Sequence, residues 1–239
     1  MKSDIEQTAA ASFAGRRLFF IKSMAHIITA LQVQKKNPQR VNVFINDEFA
    51  FGLARITAAW LTVGQELSET KIIELKNQDQ KEQALQRALH LISYRPRSEA
   101  EVRNHLQKYQ ISEETTTEVI ARLRETGLLN DQQFAETWIE NRATFRPRSK
   151  LALRIELRQK GIADEIVEDM LASVSDEDQA YEAAQKKARQ FRALDEKSFK
   201  QKLLGFLARR GFSYEVASPV IKKLWEEKNN EEDTTWTRS

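Results

Sequence analysis

The sequence predicts a mainly helical protein, built as three tandem three-helix repeats of about fifty residues after a small N-terminal β-hairpin or sheet segment. Three observations predict it. The tetrapeptide Arg-Pro-Arg-Ser occurs at Arg95–Ser98 and again, letter for letter, at Arg146–Ser149. Sliding the chain by that offset of 51 places Val102, Leu106, Ile111, Val119, Ile120 and Leu123 on Leu153, Leu157, Ile162, Met170, Leu171 and Val174. A further 50 residues reaches Leu203, Leu207, Phe212, Val220, Ile221 and Leu224, so six apolar columns hold across three copies. Upstream, the apolar period is two rather than 3.6, which is the spacing of a half-buried sheet.

In chain order, residues 1–25 are poorly patterned: four apolar residues, Leu18–Ile21, broken by Lys22, are too few for the core of a signal peptide. They read as a loose tail, and Met24 stands as a second candidate start before the first patterned segment. Residues 26–78 read as a β-rich segment with following helices. Leu31 and Val33, then Val41, Val43 and Ile45, then Phe49, Phe51 and Leu53 alternate with other residues. Asn46-Asp47-Glu48 supplies a hairpin turn, and Lys35 to Arg40, with Asn37-Pro38, reads as a loop. A helix is expected over Ile56 to Leu61, a break at Gly64, and a helix capped by Ser68 through Leu75. The polar run Lys76 to Gln83 starts the helix that enters the first repeat.

The repeats are expected at 79–126, 127–175 and 176–228. Pro96 and Pro147 push the preceding residue out of the helical region, ending helices at Tyr94 and Phe145. Ser98, Ser149 and Ser198 then stand at N-cap positions, with Glu101 and Gln201 at capping-box spacing and Ala152 breaking it. Gly161 after Lys160 and Gly211 after Arg210 fit left-handed C-caps, while the first copy has Tyr109-Gln110. Ser112, Asp164 and Ser213 can cap the third helices, and Asn130 or Asp131 the first helix of the second repeat. Trp138 and Trp225 lie in apolar helical patterns and read as core anchors. Each buried column residue should contribute about 1.5–3 kcal/mol. The polar tail 229–239 is expected to fray.

Composition narrows the function. With no cysteine among 239 residues, disulfides and thiol chemistry are excluded, and the composition suits a reducing cytoplasm. No apolar run approaches the ~18 residues a membrane span needs. The three histidines, His26, His90 and His105, are scattered, and no phosphate loop, nucleophile elbow or metal motif appears, so neither a catalytic site, a metal site nor a cofactor is expected. Asp131, Glu136 and Glu140 read as a solvated acidic face.

The formal charge is only +3, but it is unevenly placed. Arg142, Arg146, Arg148, Lys150, Arg154, Arg158 and Lys160 meet one acid, Glu156, and nine bases between Lys186 and Arg210, including Arg209, meet only Asp195 and Glu196. Lys150, Arg154 and Arg158 are four apart and share a helix face. Such a strip suits phosphates or an acidic protein groove, or simply faces solvent. Arg95 and Arg97 join the candidate partner-binding set, with a second reading as turn arginines that cap helix carbonyls or pair with Glu99 and Glu101.

Five stretches together resemble the RecX family, bacterial regulators of the recombinase RecA: RALHLISYRPRSEAEVRNHL, GLLNDQQFAETWIENR, LRQKGI, LARRGF and QKKNPQRVNVFINDEFAFGL. The resemblance covers Ile27 to Glu227. It implies a non-enzymatic protein of helix-turn-helix-like repeats, a cytoplasmic monomer that lies in the helical groove of the RecA filament, with single- or double-stranded DNA within reach, and inhibits ATP hydrolysis and strand exchange. The first repeat departs from it, having Lys108-Tyr109-Gln110-Ile111 where LRQKGI has Lys-Gly-Ile. A DNA-binding transcription regulator with a recognition helix is the alternative, disfavoured by the acids on Glu113–Glu125 and Asp164–Ser173.

Overall fold

Alternation becomes a sheet and the 3.6 period becomes helices, in two units of the chain. The computed structural model describes residues 25–236, so the tail expected over residues 1–25 lies, but for its last residue, outside the described residues. The first unit runs to Asp79 and the second begins at Gln80.

In the first unit, strands β1 (His26–Gln34), β2 (Asn37–Ile45) and β3 (Glu48–Ala54) form an antiparallel meander, and the short β4 (Glu66–Leu67) pairs with the start of β1. Val43 and Leu53 are wholly buried, as the alternation requires, but on β1 it is Ile28 that is buried, with a register shift between it and Ala30, and Val33 and Phe49, expected inside, are exposed. Asn46 and Asp47 turn the β2–β3 hairpin with φ of 50° and 68°, the paired left-handed conformations of a tight hairpin that Asn and Asp tolerate. The loop expected over Lys35 to Arg40 contracts to a two-residue turn, because Gln34 already faces Asn37 across the ladder. The helix expected over Ile56 to Leu61 shrinks to α1 (Arg55–Ala58), leaving Ile56 and Trp60 exposed.

Helix α2 (Glu69–Tyr94) is one 26-residue helix where the sequence suggests two, since no residue between Leu75 and Gln83 breaks it. Ser68 caps it, accepting the Lys71 N–H. Within the first unit Asp79 is buried, takes both terminal nitrogens of Arg40 at 3.1 and 2.8 Å and also accepts the Ala54 N–H.

The second unit is helical throughout: α3 (Glu99–Lys108), α4 (Glu113–Glu125), α5 (Asp131–Phe145), α6 (Lys150–Gln159), α7 (Asp164–Ala172), α8 (Asp176–Ala188), α9 (Glu196–Ala208) and α10 (Tyr214–Trp236). Its apolar residues form three successive cores, one per repeat. The columns hold: Val102, Leu153 and Leu203 are buried, as are Leu106, Leu157 and Leu207. Met170, Val174 and Ile111 are only partly buried. Trp138 stacks on Phe134 and Trp225 tilts against Phe199 at the edges of their cores.

Ser98, Ser112, Ser149 and Asn130 cap their helices as expected. Three caps differ. Ala163 precedes α7 without a side-chain bond, and Asp164 is the first helical residue. Asp195, not Ser198, caps α9, so Ser198 lies inside the helix and gives its N–H to Asp195. The Glu101 carboxylate faces cations instead of closing a capping box. Helix α10 runs to Trp236, well past Asn229 where fraying was expected, because no glycine or proline follows Pro219 to stop it.

Candidate interaction surface

The Arg-Pro-Arg-Ser turns are the joints between repeats. At the first joint Ser98 has two partners: its Oγ accepts the Glu101 N–H and donates to the carbonyl of Lys160, 2.6 Å away at the end of α6 in the next repeat. Asp131, opening the next repeat's first helix, reaches back to accept the Glu99 N–H at 2.8 Å. Thus two residues of the second repeat close the N-terminus of α3. The second joint repeats the plan. The Ser149 N–H donates to the carbonyl of Arg210, and Asp176 accepts the Lys150 N–H at 2.6 Å. Sequence reasoning placed Asp131 on a solvated face. Its capping role could have been suspected only from the matching Asp176, which opens the third repeat.

Charge is arranged differently at the two joints. At the first, Glu101 gathers Arg95 at 3.0 Å, Lys160 at 2.8 Å and Arg97 at 3.9 Å. Burial pushes the Glu101 carboxyl up, but hydrogen bonds and charge from Arg95 and Lys160 outweigh it and hold the group below its ordinary value. Arg95 also donates to the Pro96 carbonyl, and Glu99 pairs with Arg124. The turn-arginine reading therefore describes Arg95, which is hydrogen-bonded to Glu101, while Arg97 makes only the longer contact to the same carboxylate.

At the second joint the position matching Glu101 is Ala152. Arg210, which matches Lys160, finds no carboxylate among the described residues; it donates to the Pro147 carbonyl at 3.0 Å and lies over the Phe206 ring. Burial lowers its pKa, and the repulsion of Arg146 and Arg148 lowers it further. Glu156 serves Arg142 at 2.7 Å, Arg148 at 3.0 Å and the Trp138 indole N–H. Lys186 donates to the Thr144 carbonyl nearby. Arg146 is exposed and makes no ion pair among the described residues; the same holds for Arg209, one residue before Arg210.

The strip on α6 is largely neutralised. Arg154 pairs with Glu168 at 2.6 Å and Arg158 with Asp164 at 2.7 Å, both from α7. Lys150 is half-buried and unpaired among the described residues. The structure thus gathers Arg146, Arg148 and Arg210 at one place and engages Arg95, Arg97, Arg154, Arg158 and Lys160 in internal pairs. Beside the first joint lies a groove of about 370 Å³, lined by Tyr94, Arg95, Arg97, Leu128, Phe134 and Thr137 among others. Among the described residues no helix is long and apolar enough to cross a membrane.

Comparison with known proteins agrees with this architecture piece by piece. Residues 26–68 match the profile described as the regulatory protein RecX N-terminal domain. Residues 84–123, 130–171 and 175–221 match the first, second and third three-helix domains of RecX. A protein of Bacillus subtilis strain 168 named Regulatory protein RecX is 37% identical over 212 residues, covering 87% of this chain and 80% of its own. One of the same name from Bacillus licheniformis is 33% identical over 201 residues, covering 82% and 76%. A crystal structure of regulatory protein RecX superimposes with a TM-score of 0.61 at 26% identity, over 82% of this chain and 98% of that one. The crystal structure of RecX from Lactobacillus salivarius gives a TM-score of 0.54 at 28% identity, over 61% and 97%. With every domain matched in order and identity above 30% over most of the length, this chain belongs to the RecX family of regulatory proteins.

Proposed function

We propose that this chain is a non-enzymatic regulator that binds the RecA filament on DNA, lies in its helical groove, and inhibits ATP hydrolysis and strand exchange. Membership of the RecX family supports a regulatory role, and the resemblance of residues 27–227 to that family implies RecA as the partner. The observation that carries the reading is the second joint, where Arg146, Arg148 and Arg210 converge without a carboxylate for Arg210. Arg148 is paired with Glu156, but Arg146 and Arg210, cations without a carboxylate among the described residues and held at a fixed turn, attract an acidic protein groove or the phosphates within it. Occupying that groove would keep out a second DNA strand. Arg146 and Arg209, exposed and without an ion pair among the described residues, are the leading contact residues. Lys150 and the cations of the first joint and of α6 contribute where an incoming acid exchanges with their present one.

The test is single-stranded-DNA-dependent ATP hydrolysis by the RecA of the same organism, titrated with the chain, with binding to bare DNA measured in the same buffer. The chain should inhibit at concentrations that leave bare DNA unbound, and inhibition should weaken as salt rises. Arg146→Glu with Arg209→Glu should raise the half-inhibitory concentration by roughly tenfold or more while the melting curve stays in place. Undiminished inhibition by that variant would remove these residues from the contact. No effect on hydrolysis, with tight salt-sensitive binding to duplex DNA, would replace the reading with that of a DNA-binding transcription regulator.

A further inference from the structure

The joint has two halves, and they are distributed unevenly over the three repeats. The back half is the turn: a serine at the N-terminus of the repeat's second helix, preceded by Arg-Pro-Arg. The front half belongs to the following repeat. It consists of an aspartate opening the first helix and a cation followed by glycine closing the second, Asp131 with Lys160-Gly161 and Asp176 with Arg210-Gly211. The glycine has two jobs. Its φ is +76° at Gly161 and +90° at Gly211, which a side chain adopts reluctantly. A Cβ at Gly161 would also overlap the Ala100 side chain of the preceding repeat, and one at Gly211 would lie 2.6 Å from Ser149 Oγ and 3.0 Å from Ala152 Cβ. Gly127 separates the two effects: its φ is +69°, and a Cβ there would meet nothing within 4 Å.

The first repeat has no front half. Its glycine position is Gln110, which holds φ at 58° despite its side chain, and its first helix is continuous with the earlier turns of α2, so it has no opening aspartate. The third repeat has no back half. Along the 50-residue register of the core columns, Ser149 falls on Phe199, a buried residue of the third core. Helix α9 begins at Glu196, where that register places Arg146, so an extra helical turn replaces the Arg-Pro-Arg turn. Only the second repeat carries both halves.

We propose that the arginine turn and the cation–glycine helix end are the two complementary parts of a directional docking surface whose partner is another three-helix repeat. The terminal repeats carry the blocked forms, which close the array at three and deny a second copy of the chain a place to add head to tail. A contact fixed by backbone approach and helix-end bonds is portable wherever both halves are present.

Two experiments on the full-length chain test this. In the first, Gly161→Ala should speed hydrogen exchange of the Glu99 amide by about tenfold or more, because the joint that shields it is wedged apart. Gly127→Ala should leave that amide unchanged. Adding Ala100→Gly to Gly161→Ala, which removes the atom in the way, should restore most of the protection. Exchange unchanged in Gly161→Ala, or no rescue by Ala100→Gly, would overturn the proposal. In the second, residues 127–175 are duplicated in tandem within the chain, and separately residues 176–228. The extra second repeat should dock: the Lys150 amide of the first copy should be protected by Asp131 of the next, and small-angle scattering should show one regular increment in length. The extra third repeat should remain undocked. Equal docking of both would show that the terminal repeat is not blocked and sink the idea.

Discussion

The two joints share a backbone plan and differ in charge. At each, an Arg-Pro-Arg-Ser turn receives the second-helix end of the next repeat, and an aspartate from that repeat caps the helix the turn begins. At the first joint Glu101 balances the cation that arrives, Lys160. At the second, Ala152 stands at that position and Arg210 arrives without a carboxylate. Glu156 gives the second repeat a carboxylate on the same helix, but Arg142 and Arg148 occupy it; the matching residue of the first repeat is His105. A turn retained for mechanical reasons can therefore carry two electrostatic characters. At the first joint the arriving cation is paired internally and at the second it has no carboxylate among the described residues, which is why the proposed function places its leading contacts at the second.

Removing Glu101 should break the first joint. Glu101→Ala strands Arg95 and Lys160 beside a half-buried position, and thermal or urea unfolding should show a loss of about 1–2 kcal/mol, the lower part of the range for charged hydrogen bonds because the site is partly solvated. Arg97 keeps the longer contact of the two arginines and should matter less.

Acid should open the same joint more gently. The folded-state pKa of Glu101 is below its ordinary value of 4.5, so its contribution is complete above that value and is lost as pH falls through the lowered folded value. Asp131 next to it behaves oppositely: burial raises its pKa against the Glu99 N–H that lowers it, so protonation costs that group less and partly offsets the loss. Melting temperature measured from pH 6 downward should therefore fall less steeply in Glu101→Gln than in the unaltered chain, which melts higher near pH 6, with the two curves converging as pH falls below about 4.5.

The smallest expected effect comes from giving the second joint the acid of the first. Ala152→Glu offers Arg210 a partner, and stability should change by less than about 1 kcal/mol, as for other solvated pairs. If the charge at the second joint is what meets the partner, the same substitution should weaken inhibition of ATP hydrolysis severalfold, and unaltered inhibition would show that the two joints differ without functional consequence.

Local signals made much of this molecule legible. The apolar columns, the period-two strands, the serine caps at Ser98, Ser112 and Ser149 and the glycine helix ends each depend on residues within a turn or two of one another, so pattern alone located them. The candidate site was legible as a list of cations and not as a surface. Arg154 and Arg158 meet acids 14 and 6 residues away and Lys160 meets Glu101 across 59, contacts set by how helices pack and carrying no local periodicity. The third tetrapeptide shows the same limit from another side. Matching Ser198 to Ser149 required an offset of 49, while the core columns run at 50 and place Ser149 on the buried Phe199, and α9 is capped by Asp195 instead.

By itself, then, the sequence determined the repeat length, the number of repeats, the faces that are buried and where most helices begin and end, because short-range sterics and the exclusion of apolar surface from water act on neighbours in the chain. Tertiary structure decided what the repeated arginines do. Whether a cation is neutralised, stacked on a ring or left open depends on which groups the packing of one repeat against the next brings within about 4 Å, and at these joints the partners lie as many as 63 residues apart.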